Sequence, residues 1–177
     1  MLEKIKSIFL ITALSVMTSM VFAQQTPSAN PMDDIPEAMP FDIPYGLPIS
    51  LEKADQMIQA VMTESKKRNW KMNIAVVDPS GALIAFKRMD GAQLASISIA
   101  EHKARVAARF RRDTKLLENA VNVAKLNYVL TLDDVIASRG GIPLVEGGKL
   151  VGAIGCSGGT GSQDEAVCKA GAALINK

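Results

Sequence analysis

An α+β domain, in which an antiparallel β-sheet is flanked by helices, is the fold class this sequence predicts. Three observations carry it. Apolar residues recur at three- and four-residue spacing in four segments, two pairs of β-rich runs are each joined by a tight turn, and these alternate as helix, hairpin, helices, hairpin, helix. With 177 residues, 48% of them hydrophobic, 21% charged and a net charge of +2, the chain can bury a core of its own, and a single folded domain is expected. An aromatic share of 5% and a balance of 20 basic against 18 acidic residues disfavour a nucleic-acid binder, whose surface is ordinarily basic and studded with stacking rings.

At the N-terminus, Lys4 and Lys6 precede an apolar run from Ile8 to Val21, and Val21 and Ala23 place small residues three and one before a cut. This is the pattern of a secretory signal peptide over residues 1–23. The run of roughly 14 residues is too short for the ~20 of a spanning helix. The expected location is therefore periplasmic or secreted, with no stable membrane insertion after cleavage. Residues 24–48 hold six of the eight prolines. Proline lacks an amide donor and fixes φ, so these residues are read as an extended N-terminal arm. The arm is either a tether or a strap around a sister subunit, with Phe41, Ile43 and Tyr45 as its plugs. The folded domain is expected over residues 49–177.

Ser50 can cap a helix in which Leu51, Ala54, Met57, Ile58, Val61 and Met62 share a face, ending near Arg68 and Asn69. Residues 72–78 and 82–88 are β-rich and flank Pro79-Ser80-Gly81, which predicts a hairpin. From Leu94 to Phe110 a helix is predicted, with Ile97, Ala100, Ala104, Ala107 and Ala108 in one narrow stripe suited to close packing on a sheet. Asp113 or Thr114 starts another, carrying Leu116, Leu117, Ala120, Val121 and Ala124. Residues 128–138 read as a short helix or loop followed by a strand at Val135-Ile136-Ala137. A second hairpin, 142–146 and 149–155, turns at Gly147-Gly148. After Cys156 a glycine-rich connection leads into a terminal helix, with Ser162 as its cap.

Three separated motifs stand in order along this map: Ala75-Val76-Val77-Asp78-Pro79-Ser80-Gly81, then Arg88-Met89-Asp90-Gly91-Ala92 with Ser96 and Lys103-Ala104-Arg105, then residues 151–160 with Gln163-Asp164-Glu165. Together they resemble the GlcG/HbpS-like haem-binding (haem-degrading domain) family over about residues 49–177. The resemblance implies a profilin-like sandwich of the GlcG/HbpS type and a homo-oligomer, often an octamer. In some members it implies haem binding or slow haem degradation. Other relatives are fused to corrinoid adenosyltransferases or stand in glycolate-utilisation operons.

Haem is accordingly the expected cofactor, and His102, the one histidine, is the candidate axial ligand to its iron. On a helical wheel it lies roughly 140° from Ile97, off the alanine stripe and beside Arg105 and Arg109, whose guanidiniums can pair with propionates. The same face also reads as an ordinary solvated or subunit-facing surface. Tyr45, Tyr128, Met89 or a cysteine are the alternative ligands. Residues 101–115 carry a basic patch of Lys103, Arg105, Arg109, Arg111, Arg112 and Lys115, attractive to an anion or simply a wet helix end. Ser157-Gly158-Gly159-Thr160, where a strand passes into a helix, can cradle an anion on its amides, or be no more than a tight connection. Asp164 and Glu165 oppose the positive end of that helix, a stabilising placement.

Cys156 and Cys168, the only cysteines, are read as two buried free thiols, with a disulfide as the alternative. The chain has no Cys-x-x-Cys-His, His-Glu-x-x-His or Gly-x-Ser-x-Gly motif, and one histidine excludes a multi-histidine metal site within one chain. No acid, base and nucleophile set with matched spacing emerges, so catalytic residues are unassigned. The leading reading is an exported, oligomeric haem- or tetrapyrrole-binding protein. The alternatives are an enzyme that degrades haem or acts on a small organic acid, and a non-catalytic partner of a membrane sensor or oxidoreductase.

Overall fold

The computed structural model describes residues 33–176, so the signal-peptide reading over residues 1–23 and the first part of the proline arm, residues 24–32, lie outside the described residues. A compact unit begins at Met39. In chain order its elements are α1 (Leu51–Lys67), β1 (Asn73–Val77), β2 (Leu83–Arg88), α2 (Ser96–Arg109), α3 (Thr114–Asn122), a 3-10 turn (Asn127–Thr131), β3 (Gly141–Glu146), β4 (Lys149–Ser157) and α4 (Gly161–Ala172). The strands form one antiparallel sheet in the order β2-β1-β4-β3. The α+β reading and both hairpins hold.

The two faces of the sheet are covered differently, and side-chain size is the reason. On one face Ile74, Val76, Ile142, Leu144 and Ile154 meet Met57, Ile58 and Val61 of α1 and Val167 of α4. On the other, Ala75, Val77 and Ala153 receive the alanines of α2, namely Ala100, Ala104, Ala107 and Ala108, with Phe86 of β2 packed at the side. Small side chains on both partners bring backbone to backbone. A Cβ at Gly155 would run into the Ala100 carbonyl, so glycine there is a packing requirement. With both faces covered, β1 is buried along its whole length.

Three local expectations are corrected. Val135-Ile136-Ala137 is not a strand: Val135 and Ile136 pack instead beside Val106, Leu117 and Val129 in a small satellite cluster. The cap of α4 is Thr160, not Ser162. Its hydroxyl accepts the Gln163 amide while the Gln163 side chain accepts the Thr160 amide, a reciprocal capping box. And the cysteines are not free: Cys156 and Cys168 form a disulfide with a Cα separation of 5.6 Å, because the sharp 157–160 turn lays the second turn of α4 directly on the end of β4.

The last part of the arm joins the fold in the same chain. Beyond the end of β1, strand β4 is free on that side, and residues 44–49 run alongside it. The Leu150 amide donates to the Pro44 carbonyl at 2.8 Å, the Gly46 amide to the Leu150 carbonyl at 2.7 Å, and the Ile49 amide to the Val151 carbonyl at 2.9 Å.

Candidate functional site

The face of α2 that carries no alanine stripe holds His102, Arg105 and Arg109, and the 132–138 loop lies across it. Asp134 in that loop adopts a left-handed backbone conformation, φ 61°, which turns both its carbonyl and its side chain toward the helix. The His102 Nε2 stands 3.0 Å from the Asp134 carbonyl oxygen. A carbonyl only accepts, so Nε2 carries a proton in this contact. The Asp134 carboxylate lies 2.7 Å from an Arg109 nitrogen, 3.3 Å from His102 and 3.5 Å from Arg105. Arg109 also donates through Nε to the Ser80 carbonyl at 2.9 Å, tying the β1–β2 turn to the same cluster. Beside it a cleft of about 400 Å³ is lined by Tyr45, Pro79, Ser80 and Arg109. His102 is therefore half-buried beneath a loop and does not point into open solvent.

Lys103, expected in an exposed basic patch, is in the interior at 1% exposure. Its ammonium reaches Asp164 at 2.7 Å, and the other Asp164 oxygen accepts the Gly159 amide at 3.0 Å. Gly140, at φ 112°, leaves the room in which this pair fits. The Thr160 amide is taken by Gln163, and Ser157 is buried at the end of β4. The expected anion cradle over Ser157, Gly158, Gly159 and Thr160 is thus occupied by the chain's own Asp164 carboxylate. Helix periodicity alone could not place Lys103 in the interior, because its partner Asp164 stands 61 residues away.

The remaining basic residues are also spoken for. The Arg112 guanidinium lies over the Phe41 ring at 3.2 Å, and that of Arg111 over Tyr45 at 5.4 Å. Arg111 donates to the Ile43 carbonyl at 2.9 Å, and the Tyr45 hydroxyl to the Arg109 carbonyl at 3.2 Å. This part of the patch is the seat of the arm. Lys115 turns to Glu165, which also binds Lys169 at 2.6 Å and Arg139 at 3.5 Å, and Arg139 grips Glu118 at 2.6 Å. Burial alone would raise the Glu118 and Glu165 carboxyls, but the bonds and charge of Arg139 on one, and of Lys169 and Lys115 on the other, hold both below the usual glutamate range. Burial pushes the Asp113 carboxyl up.

Of the alternative ligands, the cysteines are consumed by their disulfide and Tyr45 is committed to the arm. Tyr128 is exposed on the 3-10 turn. Met89 lines a separate cleft with Trp70. Asp134, Glu118 and Arg139 escaped sequence reasoning altogether. Their partners lie 21 to 32 residues off in sequence, and only the fold brings them together.

The HbpS-like family, described as haem degrading protein HbpS-like, matches residues 49–173 of this chain. Protein GlcG of Escherichia coli K12 is 41% identical over 109 residues, which is 62% of this chain and 81% of GlcG. The crystal structure of HbpS superposes with a TM-score of 0.69 at 28% identity, covering 79% of this chain and 99% of HbpS. That of a PduOC:haem complex gives 0.66 at 27%, covering 73% of this chain and 96% of PduOC. The corrinoid adenosyltransferase PduO of Citrobacter freundii is 29% identical over 131 residues, yet the match takes in only 39% of that longer protein. A shared helix-covered antiparallel sheet and a family match over nearly the whole folded part agree: this chain belongs to the HbpS-like family.

Proposed function

We propose that this chain is an exported haem- or tetrapyrrole-binding protein whose ligand sits on the outward face of α2. The observation that carries this reading is the His102 hydrogen bond. An imidazole whose N–H is held by a backbone carbonyl is oriented as metal-binding histidines are. Arg105 and Arg109 follow on the same face, Arg109 roughly 10 Å along the helix axis at 1.5 Å per residue. The neighbouring cleft adds the Tyr45 ring and Pro79. An imidazole, two guanidiniums and an apolar recess fit a propionate-bearing tetrapyrrole. Haem at this place would be held by His102, Arg105 and Arg109, and would supply an iron for the imidazole and two carboxylates for the guanidiniums.

In that setting Asp134 is an internal stand-in. Its carboxylate occupies the arginines that a propionate would take, while its carbonyl fixes the histidine ring. The haem named with PduOC and the description of the family support this ligand class. Export is supported by the Cys156–Cys168 disulfide, a bond that persists in oxidising compartments, together with the leader-like residues 1–23. A homo-oligomer is part of the proposal. Leu116, Val123, Tyr128, Leu130 and Leu132 are exposed within one 17-residue stretch, a display of apolar side chains that subunit contacts would cover. Native mass spectrometry reads the subunit number directly.

Titration of the purified chain with hemin tests the binding. The expected result is a saturable Soret shift, at least tenfold weaker in His102→Ala and several-fold tighter in Asp134→Asn. No shift with the unaltered chain would overturn haem as the ligand, and an unchanged affinity in His102→Ala would remove the histidine from its role. Steady loss of the Soret band in the presence of a reductant would move the protein to the enzyme reading.

A further inference from the structure

A second cleft, of about 370 Å³, opens at the other end of the sheet, where the end of α1, the turn into β1 and the end of β2 converge. It shares no lining residue with the cleft beside Arg109, and His102 is not part of it. Its volume falls within the range of small-molecule sites, toward the lower end. Its apolar lining is Met62, Trp70 and Met89, all three half-buried against the main core. Its charged rim is Lys66, Lys71 and Arg88, with Asp90 as the one carboxylate.

Three cations of the rim share one recess and have no carboxylate partner among the described residues. Arg105, Arg109, Lys115 and Arg139 each hold a carboxylate. Among the described residues Lys66, Lys71 and Arg88 hold none, although three cations gather round one recess against a single Asp90. Three cations against one carboxylate leave the recess with a net charge of about +2, which attracts a ligand of about two negative charges. The apolar lining specifies the rest of that ligand. An indole offers a flat face, and two thioethers make favourable contacts with aromatic rings and adapt to their outline. Arg68, at 5.1 Å over the Trp70 ring, covers part of the indole, while its own charge is matched by Glu64 at 2.7 Å.

We propose that this cleft is a second binding site, for a planar aromatic ligand carrying two negative charges, held by stacking and ion pairing without a histidine–metal bond. Trp70 is the only tryptophan of the chain and therefore its own reporter. Two probes represent the class: metal-free protoporphyrin IX, with two carboxylates on a large ring, and flavin mononucleotide, with a phosphate on a smaller one. Each is titrated into the purified chain while Trp70 emission is followed. Both probes absorb where indole emits, so location is read from variants. Saturable quenching is expected from at least one probe, with affinity at least tenfold lower in Lys71→Glu/Arg88→Glu and unchanged in His102→Ala. Lys71 and Arg88 are exposed, so far-UV circular dichroism should show the double variant folded. The proposal is overturned if neither probe saturates, if the folded double variant keeps the affinity within threefold, or if His102→Ala abolishes binding. Hemin binding that depends on His102 tests the α2 site, so either site can fail without the other.

Discussion

A lysine with 1% of its surface exposed and a single carboxylate partner is the most exacting residue in this protein. Moving an ammonium from water to the interior costs several kcal/mol, and the Asp164 carboxylate offsets that only while both are present. Lys103→Ala should therefore destabilise by roughly 3–5 kcal/mol, since it leaves Asp164 buried and unmatched. Lys103→Met combined with Asp164→Asn should lose less, because the amide oxygen still accepts the Gly159 N–H and no charge is stranded. Chemical denaturation of the three proteins checks both. Glu118 makes a different claim, about pH. Its folded pKa is depressed, so its contribution to stability is present above the ordinary glutamate range, about 4.3 in unfolded chains, and is lost as pH falls through the lower folded value. Glu118→Gln should be less stable than the unaltered chain at pH 7, and the gap should close below pH 4 when melting temperature is followed against pH. Asp113, pushed the other way, is common to both proteins and cancels in the difference.

Among the elements, α2 is legible from its sequence on one side only. The alanine stripe declares a helix that packs closely on a sheet, and Ala100, Ala104, Ala107 and Ala108 are indeed fully buried there. The polar side reads as one continuous basic patch, which the fold divides among separate partners. Lys103 turns inward to Asp164, Arg105 and Arg109 hold Asp134, and Arg111 and Arg112 hold the arm. Nothing in helical periodicity names those partners, because each comes from another element. The arm itself follows from both levels. Its prolines keep it extended, and an extended chain can run beside β4 where β1 has ended. Phe41 is its fastening, stacked under Arg112 at 3.2 Å. Phe41→Ala should cost about 1 kcal/mol, in the range of a partly exposed cation–π pair. Hydrogen exchange at the Gly46 and Ile49 amides should quicken in that variant. Exchange rates like those of the unaltered chain would show that the backbone bonds to β4 hold the arm unaided.

For the molecule as a whole, the disulfide joins sheet to helix where the glycine turn folds back. Closing a loop of 13 residues between Cys156 and Cys168 stabilises by roughly 3 kcal/mol on the chain-entropy estimate. Denaturant unfolding in the presence of a phosphine reductant should show a loss of that size. A transition that does not move would mean that core packing alone secures the α4–β4 contact. Periodicity and turn chemistry by themselves determined the α+β class, the two hairpins and the helices, because each depends on residues within a few positions of one another. The ordered motifs determined the family. The tertiary structure decided what short spacing cannot hold: that the cysteines pair, that the glycine loop is filled by Asp164, that Val135 and Ile136 pack in a satellite cluster, and that Asp134 lies on His102. All but one of these are contacts made across at least a dozen residues, and the exception, Asp164 on Gly159 five residues away, is held in place by Lys103 from 61 residues off, so such pairings exist only once the layers have packed.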